Sequence, residues 1–278
     1  MKAAQTRVLL TGAGGGIGTA AANALAAAGS ALLLAGRSAG QLAAQARALR
    51  QRHPAAQIEW HAGDLRKEID IHALSARAEA QECNVVIHCA GTPQFGPLGD
   101  CGIDTMTNVL QTNLLAPMAL TRALLPHMRG LPRAQVIFLG SALGAIGLPG
   151  FSVYCAGKFG LRGFAQALRR ELADTGVRVQ YLAPRSTRTA FNDAAVEAYN
   201  RATGTAMDSP EHVARALVRM MENESAETFL GFPEKIAARL NGLAPVALDG
   251  AFAKHRRSLG GHAAHHPIHD DKEMKNAH

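Results

Sequence analysis

A tyrosine and a lysine one helical turn apart are the residues of this chain whose spacing first suggests chemistry. Tyr154 and Lys158 lie in the stretch SVYCAGKFG. On a helix, side chains at i and i+4 share a face, and a neighbouring ammonium favours the ionised form of a phenol. Tyr154 would then act as an acid and base near neutral pH, although a free phenol titrates at about 10. Spacing alone equally allows a helix with one amphipathic tyrosine and one exposed lysine.

The elements that would position this pair are short apolar segments that alternate with longer helical patterns. Apolar segments of this length are typical of strands covered on both faces, and their alternation with helices predicts a parallel sheet. The sequence therefore predicts an α/β fold, a single doubly wound domain with about seven strands. We also expect Gly29 and Gly176 to end helices in the left-handed conformation, and Ser209 to cap a helix beginning at Pro210. The predicted strands are 7–10, 31–35, 57–61, 84–88, 135–139, 178–182 and 227–231.

A glycine-rich turn, TGAGGGIG, joins the first predicted strand to the first predicted helix. Gly12, Gly16 and Gly18 allow a tight turn and a close approach of a pyrophosphate to the helix N-terminus. An NAD site usually has an acidic residue about 20 positions later, but no acidic residue precedes Glu59. Arg37 lies in that region instead, and a guanidinium pairs well with the 2′-phosphate of NADP. We therefore expect NADP(H) rather than NAD(H), the alternative being that Arg37 is a solvated loop residue.

A serine lies where the fifth predicted strand ends, in FLGSALGAIG. Ser141 precedes Tyr154 across a loop with glycine and proline that leads into the helix of Tyr154 and Lys158. In a doubly wound sheet the carboxyl ends of the strands line the ligand crevice. Ser141 and Tyr154 are therefore expected to face the nicotinamide end of a cofactor held by the glycine turn.

Together these motifs resemble those of the short-chain dehydrogenase/reductase family in its compact single-domain form. TGAGGGIG is similar to the family's cofactor fingerprint, and Ser141 with YCAGK is similar to its catalytic serine and Tyr-x-x-x-Lys motif. Asn113 matches the asparagine that completes the family's tetrad, Asp64 the acidic residue at the adenine, and Thr189 the threonine at the nicotinamide carboxamide. The resemblance covers roughly residues 5–232.

The resemblance implies an NADP-binding Rossmann domain over residues 1–232 and hydride transfer between the nicotinamide and a carbonyl or alcohol carbon. Tyr154 would donate a proton to the forming alkoxide, Ser141 would hydrogen-bond the same oxygen, and Asn113 would support a water chain. Lys158 would hold the nicotinamide ribose and lower the pKa of the phenol. The cofactor-binding residues that the resemblance implies are Gly12, Gly14, Gly15, Gly16, Ile17, Gly18, Arg37, Asp64, Leu65, Ala90, Gly91, Tyr154, Lys158, Pro184, Thr187 and Thr189.

Two positions depart from the family's pattern. His88 and Cys89 replace two asparagines that help to brace the central strands. We expect this change to alter support rather than chemistry, with His88 a hydrogen-bonded core residue and a second base as the alternative. Arg185 stands after Pro184 in place of a glycine. It would either bind a phosphate or an anionic substrate, or point outward.

Specificity is expected in residues 189–207, after the sixth strand, and in the loop after Ser141. Both are mainly apolar, which favours a hydrophobic ketone or alcohol, lipid-, acyl- or steroid-like, over a sugar or a small acid. The same residues would also pack residues 189–207, as a lid, onto the body of the protein. The candidate substrate residues are Leu143, Leu148, Phe151, Arg185 and Phe191.

A C-terminal extension, residues 233–260, goes beyond what the compact family form requires. Ile236, Leu240 and Leu243 recur at helical spacing beside basic residues. An apolar stripe with a basic rim is typical of a helix docked on the body or on another subunit, and also of a helix at a membrane surface. The sequence thus leaves open a peripheral membrane contact through residues 233–257.

Composition and charge narrow the classes of partner. The net charge is +7, but only 5% of residues are aromatic and no basic cluster is interleaved with them, so we expect no nucleic-acid partner. No long apolar run and no leader pattern appear, which predicts a cytoplasmic protein, peripheral to the membrane if the extension binds it. The four cysteines lack metal-ligand spacing, and the His-rich tail, residues 261–278, is expected to be disordered and to hold no specific metal.

The family further implies a homodimer or homotetramer formed through the helices that carry Asn113 and Tyr154. The main alternative to an enzyme is a non-catalytic sensor or scaffold protein that binds NADP and retains the fold. A binding protein has no need of a proton donor, so the intact set of four residues favours the enzyme: Ser141, Tyr154, Lys158 and Asn113.

Overall fold

Seven parallel strands form the centre of the protein in a computed structural model that describes residues 1–260. The strands are β1 Arg7–Thr11, β2 Ala31–Gly36, β3 Ile58–Ala62, β4 Val85–His88, β5 Ala134–Leu139, β6 Val177–Ala183 and β7 Glu227–Phe229. Their order across the sheet is β3-β2-β1-β4-β5-β6-β7. The predicted doubly wound α/β fold and all seven predicted strands are confirmed. The predicted disordered tail lies outside the described residues.

Ten α-helices are described, and most of them cover the two faces of this sheet. They are α1 Gly16–Ala27, α2 Ala39–Arg52, α3 Glu68–Ala80, α4 Ile103–Leu110, α5 Ala116–Gly130, α6 Ser152–Glu171, α7 Ala194–Thr203, α8 Pro210–Asn223, α9 Phe232–Leu243 and α10 Ala253–Gly260. Helices α1, α2 and α8 share one apolar core with the sheet, and α3, α5 and α6 share the other. Successive strand residues point to opposite faces, so Leu9 and Leu10 of β1 lie in different cores.

Helix ends follow local chemistry in most of the predicted places. The Ser209 hydroxyl accepts a hydrogen bond from the His212 amide at 3.1 Å and so caps α8. Gly29 ends α1 with a φ of +89°, as predicted. The prediction for Gly176 is wrong, because its φ is not positive. A Cβ there would lie 2.6 Å from the Pro132 carbonyl oxygen, so close packing requires the glycine.

The C-terminal extension folds back onto the body as α9, a 3₁₀ helix at Val246–Phe252, and α10. Its contacts lie near the loops that follow the carboxyl ends of β5 and β6. The apolar stripe of α9 faces outward: Ile236 is 45% and Leu243 is 83% exposed. The inner face carries the buried Ala238 instead. Within residues 1–260, no helix is long and apolar enough to cross a bilayer.

Candidate active site

The glycine turn lies directly against the carboxyl ends of the central strands. Gly12 has a φ of +65°, and a Cβ there would come within 2.6 Å of the Ala90 backbone. A Cβ on Gly16 would lie 2.5 Å from the Thr189 Cγ2 atom. The turn, Ala90–Gly91 and Thr189 therefore meet at one place, where the amides at the start of α1 are available to an anion. The first turn of α1 carries no acidic side chain that would oppose one.

Arg37 and Asp64 lie at the ends of neighbouring strands, on the other side of the turn. Arg37 is exposed just beyond β2, and Asp64 follows β3. The Asp64 carboxylate accepts a hydrogen bond from the Arg66 Nε atom at 2.9 Å. This bond is the main reason why the pKa of Asp64 falls to about 2, and the positive charge of Arg37 contributes to the same shift.

Ser141 and Tyr154 are brought together by the end of β5 and the start of α6. The Ser141 side chain accepts a hydrogen bond from the Leu143 amide at 3.1 Å, which caps a short 3₁₀ turn. Its amide donates to the Tyr181 hydroxyl of β6 at 3.3 Å. Burial raises the pKa of the Tyr154 phenol, and the nearby Ser141 side chain acts in the opposite direction. The phenol is therefore protonated at neutral pH and can donate its proton.

Lys158 lies beneath Tyr154 on the same face of α6. Its ammonium group is 5.8 Å from the centroid of the phenol ring and donates to the Leu139 carbonyl at 3.0 Å. The side chain is 5% exposed, and this burial lowers its pKa to about 8. The expected lowering of the phenol pKa by Lys158 is not found in this structure, since burial outweighs the other influences on Tyr154.

Asn113 lies in a π-helical segment, Gln111–Leu115, between α4 and α5. A π-helical turn inside an α-helix often marks a functional site. The side chain is buried and bonds the backbone of Thr92 twice, accepting from its amide at 2.7 Å and donating to its carbonyl at 2.9 Å. Asn113 therefore holds the loop after β4 in place beside Gly91.

The first departure from the family's pattern, at His88 and Cys89, concerns the support of the central strands. The Thr121 hydroxyl donates to the Pro117 carbonyl at 2.7 Å, so the His88 Nε2 atom, 2.9 Å away, is the donor to that hydroxyl. His88 also stacks on Phe138, with ring centroids 4.9 Å apart. Burial lowers the pKa of His88 to about 3. It is therefore a neutral core histidine, as expected, and not a second base.

The second departure, Arg185, is engaged by carboxylates of the chain itself. Its guanidinium lies 2.9 Å from the Asp208 carboxylate and 3.8 Å from that of Glu234. The side chain thus joins the loop after β6 to α9, an arrangement that neither reading of the sequence foresaw. Pro184 accepts a hydrogen bond from the Ala142 amide at 2.9 Å, which ties the same loop to the turn after Ser141.

The remaining predicted residues surround Tyr154 or the loop beyond it. The rings of Phe151 and Phe191 lie 6.4 and 6.1 Å from the Tyr154 ring. Leu143 and Leu148 are half-buried in the loop before α6. The Thr187 hydroxyl donates to the Arg185 carbonyl at 3.1 Å. The other predicted cofactor residues, Gly14, Gly15, Ile17, Gly18 and Leu65, lie in the glycine turn and beside Asp64.

Sequence reasoning missed Phe95, which lies in the loop after β4. Its ring is 4.9 Å from that of Phe151 and 5.0 Å from that of Tyr199. The available signal was its position, since the loops after the carboxyl ends of parallel strands line the crevice. Across residues 1–260 no group of three or more His, Cys, Asp or Glu side chains could hold a metal ion.

Known proteins resemble this chain in sequence. The short chain dehydrogenase family matches residues 6–200. Ketoacyl reductase HetN of Nostoc sp. (strain PCC 7120 / SAG 25.82 / UTEX 2576) is 32% identical over 228 residues, covering 80% of this chain and 77% of that protein. Human 17-beta-hydroxysteroid dehydrogenase type 1 is 33% identical over 194 residues, covering 68% of this chain and 58% of that protein.

A solved structure extends the likeness over a larger share of the chain. The short-chain dehydrogenase from Sphingobium yanoikuyae in complex with NADPH is 26% identical, with a TM-score of 0.73 and 98% of each chain covered. Family match, relatives and fold agree with the motifs read from the sequence. The chain belongs to the short-chain dehydrogenase/reductase family of oxidoreductases.

Proposed function

We propose that the protein is an NADP(H)-dependent enzyme that transfers hydride between the nicotinamide and the carbonyl or secondary alcohol carbon of a hydrophobic substrate. One observation carries the proposal. The protonated Tyr154 phenol lies beside Ser141, above the buried Lys158, and next to the apolar rings of Phe151 and Phe191. A proton donor with a second hydrogen-bonding group suits an oxygen that becomes an alkoxide.

The residues present fit a nicotinamide dinucleotide. The Ala90 backbone at Gly12 and the Thr189 side chain at Gly16 leave no room for a Cβ. A turn of glycines without side chains lets the start of α1 approach a pyrophosphate closely. Arg37 is the cation beside the expected adenosine ribose, and it supports NADP(H) over NAD(H). The NADPH complex of the Sphingobium yanoikuyae enzyme supports the same choice.

In this proposal each residue has a separate task. The cofactor supplies hydride when bound. Tyr154 donates its proton to the substrate oxygen, Ser141 bonds that oxygen, and Lys158 holds the ribose beneath the phenol. Asn113 keeps the loop after β4 in place through Thr92.

The substrate class rests on the apolar surroundings of Tyr154 and on the relatives. One relative is named a ketoacyl reductase and another a hydroxysteroid dehydrogenase. For this chain we propose a lipid-, acyl- or steroid-like substrate.

The test is NADPH oxidation over ketones and 3-oxoacyl thioesters of rising chain length, with Tyr154→Phe as the control. We expect turnover with apolar substrates, and a loss of at least about 100-fold in Tyr154→Phe while NADPH binding is retained. Tight NADPH binding without turnover on any carbonyl or alcohol would instead support the non-catalytic sensor or scaffold.

A homodimer or homotetramer is part of the proposal. Exposed apolar side chains on the helices that carry Asn113 and Tyr154 support it: Ile103 is 73%, Leu115 is 57% and Phe159 is 41% exposed. Sedimentation should show an oligomer that Phe159→Glu dissociates. A monomeric wild-type protein would exclude the proposed oligomer.

A peripheral membrane contact through residues 233–257 is also proposed. The outward stripe of Ile236, Leu240 and Leu243, beside basic residues of α9 and α10, supports it. In liposome flotation, anionic vesicles should carry the wild-type protein but not Leu243→Asp. The matched control is Ile69→Asp on α3, which removes a side chain that is 75% exposed. Equal flotation of wild type and Leu243→Asp would refute the contact.

A further inference from the structure

The C-terminal extension is attached to three different segments around Tyr154. Glu234, in the first turn of α9, approaches Arg185 of the loop after β6 at 3.8 Å. Asn241 donates to the Ala145 carbonyl, in the loop after Ser141, at 2.9 Å. His255 of α10 lies at hydrogen-bond distance from Tyr199 of α7.

Apolar packing joins the extension to the same segments. Ala238 of α9 forms a small buried cluster with Ala145 and Ile146. Leu259 of α10 lies directly over Gly150, where a Cβ would come within 2.6 Å of it. The extension therefore covers the loop between Ser141 and α6 rather than an unrelated surface.

Three aromatic rings, Phe95, Phe151 and Tyr199, pack against one another beneath α10. We call them the aromatic wall. Each ring contacts the other two, with centroids 4.9, 5.0 and 5.6 Å apart. Phe151 also contacts the Tyr154 ring at 6.4 Å, so the wall connects the proposed proton donor with the extension.

Tyr199 is the member of the wall that the extension fixes. Its side chain is 1% exposed, so its hydroxyl requires a partner inside the protein. The His255 Nδ1 atom lies 2.7 Å from that hydroxyl, whereas the Pro149 carbonyl is 3.4 Å away. The His255 ring also contacts Phe252, at 5.8 Å between centroids. One short hydrogen bond thus sets the position of the ring that supports Phe151.

We propose that Tyr199 and His255 are positioning residues that determine specificity, by holding the half-buried rings of Phe95 and Phe151 beside Tyr154, where the substrate would bind. This inference rests on the proposed function and narrows its substrate class. Flat aromatic faces bind planar ring systems by offset stacking and lose little conformational entropy in doing so. The site therefore selects rigid, ring-bearing apolar carbonyl compounds over flexible straight-chain ones.

The test compares a ring-bearing ketone with a straight-chain ketone of the same carbon number. Tyr199→Phe keeps the ring and removes the hydroxyl. It should lower kcat/KM for the ring-bearing ketone about fivefold, mainly by raising KM. The kcat/KM for the straight-chain ketone should change less than about twofold. His255→Ala should lower kcat/KM for the ring-bearing ketone in the same way. His255→Asn can keep a hydrogen bond to Tyr199, so it should recover the wild-type selectivity. NADPH affinity should not change in any variant.

The matched control is Lys254→Ala, next to His255 on α10. It removes an exposed hydrogen bond to the Thr203 carbonyl at the end of α7, but no contact with the three rings of the aromatic wall. Its selectivity should equal that of the wild type. Wild-type selectivity in both Tyr199→Phe and His255→Ala would overturn the inference while leaving the proposed function intact.

A second readout does not depend on turnover. Amide hydrogen exchange in residues 145–151 and 194–203 should be faster in Tyr199→Phe and His255→Ala than in Lys254→Ala. If the wild type reduces no carbonyl, the proposed function fails, and the exchange data still decide whether His255 holds the wall. Equal exchange in all three variants would overturn the inference.

Discussion

Replacing Lys158 with methionine should abolish activity and yet make the protein more stable at neutral pH. The ammonium group is buried, and its only hydrogen bond among the described residues goes to the Leu139 carbonyl. Methionine fills a similar volume without a charge. A buried charge that the fold does not need for stability is expected to be retained for function.

The magnitude follows from the pKa of Lys158. Burial lowers it from 10.5 to about 8, and at 1.36 kcal/mol per pKa unit this penalty is about 3 kcal/mol. Loss of the hydrogen bond to the Leu139 carbonyl destabilises the Lys158→Met variant by about 1 kcal/mol. Lys158→Met should therefore raise the free energy of unfolding at pH 7 by about 2 kcal/mol.

The effect must also depend on pH in a defined direction. The folded pKa lies below the unfolded one, so the unfolded chain binds more protons between about pH 8 and about pH 10.5, and wild-type stability rises through that window. The penalty is fully present below about pH 8. The advantage of Lys158→Met should therefore shrink as the pH rises from 8 to 10.

Urea unfolding of both proteins across this pH range measures the difference directly. Lys254→Met, at an exposed lysine of α10, is the control and should show no such pH dependence. A difference between wild type and Lys158→Met that stays constant with pH would refute the view of Lys158 as a desolvated ammonium.

Three further substitutions test other parts of the site. Arg37→Ala should weaken NADPH binding about 10- to 100-fold and leave NADH binding unchanged, as measured by fluorescence titration; equal effects on both would contradict its contact with the 2′-phosphate. Arg185→Ala leaves the carboxylates of Asp208 and Glu234 unpaired, so the free energy of unfolding should fall by about 1–3 kcal/mol. A selective loss of activity on anionic substrates, without destabilisation, would instead support the interpretation that Arg185 binds an anion. His88→Leu should cost less than about 1.5 kcal/mol and leave the pH profile of kcat unchanged; a shifted profile would show that the imidazole titrates during turnover.

The sheet and the cofactor side of the site could be predicted because their signals are local. A strand, a glycine turn and a helix follow one another at the first turn, and the conformation of Gly12 depends on neighbours in that turn and on Ala90. Ser141, Tyr154 and Lys158 are likewise close in the chain. Gly176 shows the limit of such signals, because a left-handed cap and a close backbone contact both require glycine and look alike in a sequence.

The substrate side could not be predicted because its contacts join distant segments. Phe95 is a single aromatic residue in a loop, and its partners Phe151 and Tyr199 lie far along the chain. On α9 the periodicity of Ile236, Leu240 and Leu243 correctly indicated an amphipathic helix. It did not indicate which side meets the protein, since the inner face uses a small residue, Ala238, for close packing.

The two departures from the family's pattern have one physical explanation. His88 has its own hydrogen bond and a stacking partner, and Arg185 has two carboxylates. A polar side chain that enters a buried position needs partners there. Both residues find theirs without drawing on the groups beside Tyr154, although the Arg185 Nε atom has no hydrogen-bond partner among the described residues. Arg185 also reaches Glu234 of α9, so the same substitution that departs from the family's pattern helps to anchor the extension. The features that distinguish this chain from the compact form of its family are therefore coupled, and they meet on the substrate side of the site.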